Sequence, residues 1–265
     1  MTRILLDFDD TKKDIFDFAI KIIKYLSEKN CDTVTSKKFC CDKNNKDKKI
    51  DYVLALGGDG TLLSCSRRYA KFNKPIMGIN LGHLGYLTSA EKSNAFFALD
   101  NLLSENYRIE KRTMLQTENI NQKITALNDI CIKSSLVSRL ISFDLFINNN
   151  LIDKYKADGI IISTPTGSTA YNLSAGGPII KPTLPVFVLT PICAHTLYSR
   201  PILISDSDSI KILLDKHSYA QIILDGQKTI KAPKKIKIKK SDLQTKIIKT
   251  GSVDFYDIVR KKLFR

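Results

Sequence analysis

The first hundred residues alternate short apolar runs with stretches in which apolar side chains recur at helical spacing. The apolar runs at residues 3–8, 52–56 and 75–79 predict buried strands of a parallel sheet. Between them, residues 14–28 and 61–72 carry apolar side chains at the spacing of amphipathic helices. Alternating strands and helices predict an α/β N-terminal domain built on a small open parallel sheet.

Polar residues predict two further segments of this region. Ser93 is a good N-cap, so we expect a helix to run from it toward Tyr107. Residues 36–49 are almost all polar or charged, and this composition predicts an exposed loop.

Beyond Tyr107 the pattern becomes typical of β-structure. Short apolar or alternating runs predict strands at residues 124–132, 141–147, 151–155, 159–163, 186–190, 210–214, 221–224 and 235–238. Residues 148–150 and the Asp225-Gly226 dipeptide are turn sequences that favour hairpins. This region therefore predicts a mostly β, sandwich-like C-terminal domain.

The end of the chain returns to helical spacing at residues 254–264. We therefore predict an α/β domain at residues 1–107, a β-rich domain at residues 108–250, and a C-terminal helix within residues 251–265. We expect this helix to fold back onto the N-terminal domain.

The charge balance is strongly basic, with 42 Lys and Arg against 27 Asp and Glu and a formal net charge of +15. Nucleic-acid binding is one interpretation of such an excess. The lysines are dispersed and Trp is absent, so we favour a solvated basic surface and expect no nucleic-acid partner. A positive field would still help to attract polyphosphate ligands.

Membrane and export signals are not evident. No apolar run approaches the roughly 18–20 residues that span a bilayer, and the N-terminus turns acidic too soon for a signal peptide. The six cysteines show no paired or metal-ligand spacing with the three histidines, so we expect reduced thiols. These features predict a cytoplasmic protein with no membrane partner.

The first segment with chemical potential is Gly57-Gly58-Asp59-Gly60-Thr61, between a predicted buried strand and a predicted helix. Glycines let a backbone approach a ligand closely, and a strand-to-helix turn directs backbone N–H groups at an anion. The segment is neither a Walker A loop nor a GxGxxG fingerprint. A tight turn with a capping Asp is the alternative to a phosphate-binding turn.

A second turn, within residues 158–172, is rich in hydroxyl groups. A predicted buried strand leads into the segment Ser163-Thr164-Pro165-Thr166-Gly167-Ser168-Thr169, and Ser168 is a candidate cap for a helix at residues 170–175. So many short donors and acceptors can converge on a sugar or a phosphate. The alternative is a capped helix start with incidental hydroxyl groups.

Both turns resemble motifs of known kinases. The first resembles the shared motif of a superfamily that contains NAD kinases, diacylglycerol and sphingosine-type lipid kinases, and 6-phosphofructokinases. The second, from Asp158 to Asn172, resembles the NAD kinase signature almost letter for letter. Segments at residues 81–88, 126–129 and 191–201 are similar to further parts of the NAD kinase family, in the same order.

This resemblance implies roles for particular residues. Asp59 would face the 2′-hydroxyl of the adenosine ribose of NAD, as general base or hydrogen-bond orienter. The implied nucleotide-binding residues are Gly57, Gly58, Gly60, Thr61, Asn128, Asp129, Lys156, Asp158, Thr166, Thr169, Ala170, Tyr171 and Ser174. The chain departs from the family at Asp129, where Glu is usual, and at Lys156, where many bacterial members carry Arg. An Asx turn at Asn128 and core packing of Tyr171 are the structural alternatives.

The implied reaction transfers the γ-phosphoryl group of ATP to NAD and gives NADP and ADP. Mg²⁺ or another divalent cation would arrive with ATP, and we expect no protein metal site. Family members are homodimers or homotetramers, and polyphosphate as donor stays open. The alternative functions are a lipid or small-metabolite kinase that shares the first turn, and a non-enzymatic dinucleotide sensor.

Overall fold

The computed structural model describes residues 1–41, 49–82, 85–119, 122–137, 139–196, 198–251 and 254–263. The chain divides into two compact units, Met1–Lys111 with Thr245–Arg265, and Arg112–Gln244. We call these the first unit and the second unit. The predicted domain limits at residues 107 and 250 stay a prediction.

The first unit is built on short parallel strands. They are β1 (Arg3–Phe8), β2 (Asp32–Thr35), β3 (Tyr52–Leu56), β4 (Ile76–Asn80) and β5 (Ala90–Glu91). β1 pairs with β2 and β3, and β4 pairs with β3 and β5, in each case in parallel. The strands predicted at residues 3–8, 52–56 and 75–79 are confirmed to within one residue.

Helices cover both faces of these strands. They are α1 (Lys13–Glu28), α2 (Ser36–Cys41), α3 (Asp59–Tyr69) and α4 (Ala95–Leu103). Apolar residues of α1 and α4 share one core with alternate residues of β1, β3 and β4. The opposite face meets α3, since a Cβ added to Gly78 of β4 would lie 2.9 Å from Cδ1 of Leu62. The predicted α/β sheet is confirmed.

Two predictions for the first unit are wrong in detail. Ser93 caps no α-helix, because residues 92–94 form a 3₁₀ turn in which Glu91 and Asn94 cap each other, and α4 begins at Ala95. The predicted exposed loop at residues 36–49 begins with α2, because Phe39 is buried and packs edge-on against Phe72. Residues 42–48 lie outside the described residues.

The second unit contains antiparallel strands in two sheets. The strands are β6 (Arg108–Asn119), β7 (Gln122–Ala126), β8 (Asp129–Ser134), β9 (Ile141–Ile147), β10 (Asn150–Ala157), β11 (Gly159–Ser163), β12 (Val186–Ile192), β13 (Ile202–Ser205), β14 (Ile210–Leu214), β15 (Ala220–Leu224), β16 (Lys228–Lys231) and β17 (Lys235–Lys249). One sheet has the order β13-β12-β11-β8-β15-β16. The other contains the path β10-β9-β14-β17, with β6 paired to β17 and β7; the first residues of β6 and the last residues of β17 belong to the first unit.

The core of the second unit joins apolar side chains of both sheets. It includes Ile130, Ile160 and Phe187 from the first sheet, and Phe143 and Ile212 from the second. Two sheets that share one core form a sandwich. The predicted sandwich-like architecture and the hairpins at residues 148–150 and at Asp225-Gly226 are confirmed.

Several details of the second unit differ from prediction. The strand predicted at residues 124–132 is two strands, β7 and β8, interrupted at Leu127 and Asn128. The strand predicted at residues 235–238 continues to Lys249. Ser168 is not a cap, because its hydroxyl donates to the carbonyl of Pro165 and accepts from the N–H of Ile180, and the short helix α5 (Tyr171–Ser174) follows Ala170.

The C-terminal part of the chain belongs to the first unit. Ile247, near the end of β17, pairs in parallel with Ile76 of β4. The predicted C-terminal helix is confirmed as α6 (Phe255–Leu263), with Ile258 and Val259 buried; Phe264 lies outside the described residues. Among the described residues, no helix is long and apolar enough to cross a membrane.

Candidate functional site

The glycine turn of the first unit connects β3 to α3 and requires its first glycine. Gly57 has φ +154°, and a Cβ there would lie 2.2 Å from Oγ1 of Thr61. A larger residue would therefore push Thr61 out of the first turn of α3. Gly58 is the N-cap residue of α3, and the Thr61 N–H donates to its carbonyl at 3.0 Å.

The carboxylate of Asp59, the first residue of α3, is held by a neighbouring loop. Its Oδ2 accepts the backbone N–H of Tyr86 at 2.8 Å, and its Oδ1 accepts that of Leu87 at 2.9 Å. Gly85 makes the approach possible, because a Cβ there would lie 2.3 Å from Oδ1 of Asp59. The segment at residues 81–88, which the sequence marked only by its resemblance, thus orients the predicted catalytic carboxylate; His83 and Leu84 lie outside the described residues.

A basic cavity of about 500 Å³ adjoins the glycine turn within the first unit. Its lining includes Lys12, Lys13 and Lys92 beside Gly57 and Gly58. The helices α1 and α3 both begin there, and neither N-cap residue makes a side-chain capping bond within the described part of the chain. The N–H groups of two helix starts and the lysine cations together favour an anion.

The hydroxyl-rich turn of the second unit follows β11, but the hydroxyl groups of Ser163, Thr164 and Ser168 bind backbone groups of the protein. The Ser163 hydroxyl donates to the carbonyl of Thr164 at 2.9 Å, and that of Thr164 donates to the carbonyl of Leu127 at 2.6 Å. The Ser168 hydroxyl is likewise bonded to backbone groups on both sides. The predicted convergence of these hydroxyl groups on a ligand is therefore wrong for these three residues. They instead give the turn its shape.

Thr166 differs from these three residues because its hydroxyl has a charged partner. It is buried, and its Oγ1 accepts Nη1 of the buried Arg112 at 3.3 Å. Arg112 was not anticipated from the sequence, because no local motif marks it.

Gly167 brings the hydroxyl-rich turn against Asn128. A Cβ at Gly167 would lie 2.2 Å from the carbonyl oxygen of Asn128, which accepts the N–H of Thr164. The side-chain Oδ1 of Asn128 is buried and has no hydrogen-bond partner among the described residues. An unpaired buried acceptor costs free energy, and a ligand donor can satisfy it.

The backbone of residues 127–129 is held by Asp225, a buried residue of the β15–β16 turn. Its carboxylate accepts the N–H groups of Leu127 at 3.3 Å, Asn128 at 2.7 Å and Asp129 at 3.3 Å. The sequence pattern predicted a hairpin turn at Asp225 and did not reveal this function. The local signal in the sequence is the Asp-Gly dipeptide; in the structure Asp225 has a positive φ, which Asp tolerates.

Asp129 is buried beside this second carboxylate. Burial, and secondarily the charge of Asp225, raises the pKa of Asp129 to about 7. Both effects disfavour the ionised form. The pKa of Asp129 therefore lies closer to neutral pH than that of an ordinary aspartate.

The remaining predicted site residues of the second unit are more accessible. Tyr171 is 40% exposed, which argues against simple core packing, and partial burial raises its pKa. Thr169, Ala170 and Asp158 are half-buried, and Ser174 is exposed. Lys156 is exposed, and its carbonyl accepts the N–H of His195 at 2.8 Å.

The possible metal ligands and the cysteines of the described residues were predicted to form no metal site and no disulfide. Within the described residues, no group of three or more His, Cys, Asp or Glu side chains is placed to hold a metal ion. Cys31, Cys65 and Cys131 are buried free thiols, and Cys193 is an exposed one. The side chains of Cys40 and Cys41 lie outside the described part of the chain.

Known families and solved structures match the chain along most of its length. The ATP-NAD kinase N-terminal domain matches residues 9–107, and the ATP-NAD kinase C-terminal domain matches residues 127–250. An NAD kinase from Archaeoglobus fulgidus in complex with ATP has a TM-score of 0.80 at 25% identity, covering 100% of this chain and 97% of that one. A yeast NADH kinase complexed with NADH shares the fold, with a TM-score of 0.88 at 21% identity, covering 100% and 88%.

Relatives with higher sequence identity carry the same family name. An NAD kinase of Thermoanaerobacter sp. (strain X514) is 44% identical over 223 residues, covering 81% of this chain and 79% of that protein. An NAD kinase of Moorella thermoacetica is 39% identical over 278 residues, covering 99% and 89%. The glycine turn with its held carboxylate, the hydroxyl-rich turn and these matches agree, and the chain belongs to the NAD kinase family.

Proposed function

We infer that this chain, as an NAD kinase, transfers the γ-phosphoryl group of ATP to the 2′-hydroxyl of the adenosine ribose of NAD, giving NADP and ADP. Family membership and relatives named NAD kinase support the activity. The observation that carries the mechanism is the carboxylate of Asp59, held by two backbone N–H groups next to a basic cavity.

Asp59 acts on the acceptor hydroxyl as base or orienter. An ionised carboxylate has about four lone-pair sites, and the N–H groups of Tyr86 and Leu87 occupy one on each oxygen. The remaining sites can accept the ribose hydroxyl. Phosphoryl transfer through a loose transition state depends mainly on positioning and charge neutralisation, so a well-oriented carboxylate suffices.

The basic cavity binds the donor phosphates. The ammonium groups of Lys12, Lys13 and Lys92 and the N–H groups at the starts of α1 and α3 supply its positive charge. We assign Gly57, Gly58, Gly60 and Thr61 to this phosphate-binding turn. A divalent cation fits here only as a companion of ATP, since Asp14 alone among the described lining residues carries a carboxylate; when bound, the cation neutralises phosphate charge.

Residues of the second unit select the dinucleotide. The unpaired Oδ1 of Asn128 accepts a hydrogen bond from an amino group on a base edge, and the carboxyl group of Asp129 accepts hydrogen bonds from ribose hydroxyl groups. Asp is one methylene shorter than the usual Glu, so its reach to the ribose is reduced. We further assign Asp158, Lys156 and Thr166 to the dinucleotide, together with the accessible residues of the hydroxyl-rich turn, Thr169, Ala170, Tyr171 and Ser174.

Family membership also gives expectations for the location and the assembly of the protein. We propose a cytoplasmic enzyme that assembles as a homodimer or homotetramer, with no nucleic-acid partner. Light scattering on the purified protein tests the assembly. Replacing ATP by polyphosphate in the assay tests the breadth of the donor.

The direct test incubates the purified chain with ATP, Mg²⁺ and NAD and detects NADP with an NADP-specific dehydrogenase. We expect NADP to form, and Asp59→Asn to lower kcat by at least about 100-fold, as loss of acid–base assistance does. The matched control is Asp17→Asn on the exposed side of α1, which we expect to stay within about 2-fold of wild type. Absence of NADP from the wild type, or phosphorylation only of a lipid or sugar phosphate, would refute the assigned activity.

A further inference from the structure

Lys249, at the end of β17, donates to a run of backbone carbonyls in the loop that holds Asp59. Its Nζ lies 3.4 Å from the carbonyl oxygen of Tyr86, 2.9 Å from that of Leu87 and 2.9 Å from that of Thr88. An ammonium group has three N–H donors, so one lysine can serve all these carbonyls. Hydrogen bonds from a charged donor are about twice as strong as neutral ones.

The peptide between Tyr86 and Leu87 links Lys249 to Asp59 through a single rigid plane. Its carbonyl oxygen accepts from Lys249, and its N–H donates to Oδ1 of Asp59. In a planar trans peptide these two groups point in opposite directions, so orienting one orients the other. No cis peptide occurs among the described residues.

We propose that Lys249 is a positioning residue for catalysis: its ammonium group fixes the peptide planes of residues 86–88 and thereby holds the Asp59 carboxylate toward the acceptor hydroxyl. The inference rests on the proposed function of Asp59. It adds to the site a residue from the far end of the chain, which no local motif marks.

Other contacts of the C-terminal segment fix the position of Lys249. Ile247 pairs with Ile76 of β4, the strand that leads into the loop. The Ser89 hydroxyl donates to the carbonyl of Ile248, and Nζ of Lys262 in α6 lies 4.3 Å from the ring centroid of Tyr86. Lys249 is therefore held from both the strand side and the loop side.

The test compares Lys249→Met with Lys246→Met in the full-length enzyme. Methionine keeps an unbranched side chain of similar length but removes the charge and the donors. Lys246 lies on the same strand and donates to a carbonyl elsewhere in the first unit, that of Asn73 at 3.4 Å. We expect Lys249→Met to lower kcat about 30-fold with the KM values for NAD and ATP within about 3-fold, because misplacing a reacting group by about 1 Å costs up to 100-fold. Lys246→Met should stay within about 2-fold.

A double-mutant cycle separates positioning from general stability. If Lys249 acts through Asp59, its replacement in an Asp59→Asn background should lower the residual kcat by less than about 3-fold. Equal losses in the two backgrounds, or a folded Lys249→Met with wild-type kcat, would overturn the proposal. If Lys249→Met fails to fold, the same double-mutant cycle is measured with Lys249→Arg. Arginine retains the charge but places its N–H donors differently. The same criterion applies to its losses in the two backgrounds. NADP formation by the wild type is judged separately, so failure of this inference leaves the assigned activity intact.

Discussion

Each unit contains a carboxylate that accepts hydrogen bonds from consecutive backbone N–H groups. We propose different roles for these two carboxylates. In the first unit Asp59 is the group that we propose acts on the substrate, and the loop at Tyr86 and Leu87 holds it. In the second unit Asp225 holds a loop, and that loop carries Asn128 and Asp129, to which we assign binding of NAD. The contact alone therefore does not identify a catalytic carboxylate.

Exposure and unpaired atoms distinguish the two cases. Asp59 is half-buried and follows two glycines that line a cavity, whereas Asp225 is buried within its turn. In the second unit a buried acceptor without a partner among the described residues belongs to Asn128, on the loop that is held. We expect a residue that contacts substrate to keep unused hydrogen-bonding capacity, whereas a holding residue uses its capacity on the protein.

The largest expected effect that sharpens this comparison follows from Gly85→Ala in the first unit. The added methyl group would lie 2.3 Å from Oδ1 of Asp59 and must displace the carboxylate. We expect kcat to fall about 100-fold, in line with the cost of displacing a reacting group. Steady-state kinetics at saturating ATP and NAD measure this change.

Gly82→Ala is the matched comparison for Gly85→Ala in the same segment. A Cβ at Gly82 meets no atom of the described residues within 4 Å. Its loss of kcat should be at least about 10-fold smaller, because no group that holds Asp59 has to move. Similar losses for the two variants would show that the loop is sensitive to any added methyl group, and not to contact with Asp59.

A smaller effect, on binding and not on turnover, is expected from Asp225→Asn in the second unit. Asn tolerates the positive φ of 50° at this position, so the turn can persist while one charged acceptor is lost. Residues 127–129 should become less well oriented, and we expect KM for NAD to rise about 10-fold with kcat within about 3-fold. A fall in kcat with unchanged KM would place Asp225 with the catalytic groups instead.

The smallest effect concerns the pH dependence of stability. The folded state retains the Asp129 proton up to about pH 7, whereas an unfolded aspartate releases it near pH 4. The folded state therefore binds more protons between these values, and this residue lowers the free energy of unfolding as pH rises toward 7. Above the folded-state pKa its contribution is constant.

Asp129→Asn removes this titration with little change in shape. Between pH 6 and pH 8, the decrease in unfolding free energy should be about 1 kcal/mol smaller in Asp129→Asn than in wild type. Urea unfolding at the two pH values provides the measurement. An identical decrease in both proteins would mean that Asp129 titrates outside this range.

Local patterns predicted the parts of the fold that depend on neighbouring residues. Strands β1, β3 and β4 and helix α1 follow from short-range hydrophobic periodicity, and the turn at Gly57-Gly58-Asp59 follows from its glycines. The helix α2 was missed because one buried aromatic residue, Phe39, outweighs the charged residues around it. Periodicity cannot weigh such a tertiary contact.

The holding residues could not be predicted, because each depends on chain segments brought together by sheet register. Lys249 contacts the loop 161–163 residues before it, and Asp225 contacts residues 96–98 positions before it. Composition misled in the hydroxyl-rich turn, since it cannot show that Ser163, Thr164 and Ser168 bond to the backbone. The sequence thus indicated the candidate site residues, and the structure was needed to identify the residues that hold them in place.

The central claim assigns phosphoryl transfer to Asp59 of the first unit and recognition of the dinucleotide to the second unit. Equilibrium binding of NAD to Asp59→Asn and to Asn128→Ala, by isothermal titration calorimetry, tests it most directly. We predict that Asp59→Asn, although deficient in turnover, binds NAD within about 3-fold of wild type, and that Asn128→Ala binds at least about 10-fold more weakly, as loss of a buried hydrogen bond implies. Weakened binding by Asp59→Asn together with wild-type binding by Asn128→Ala would contradict the account.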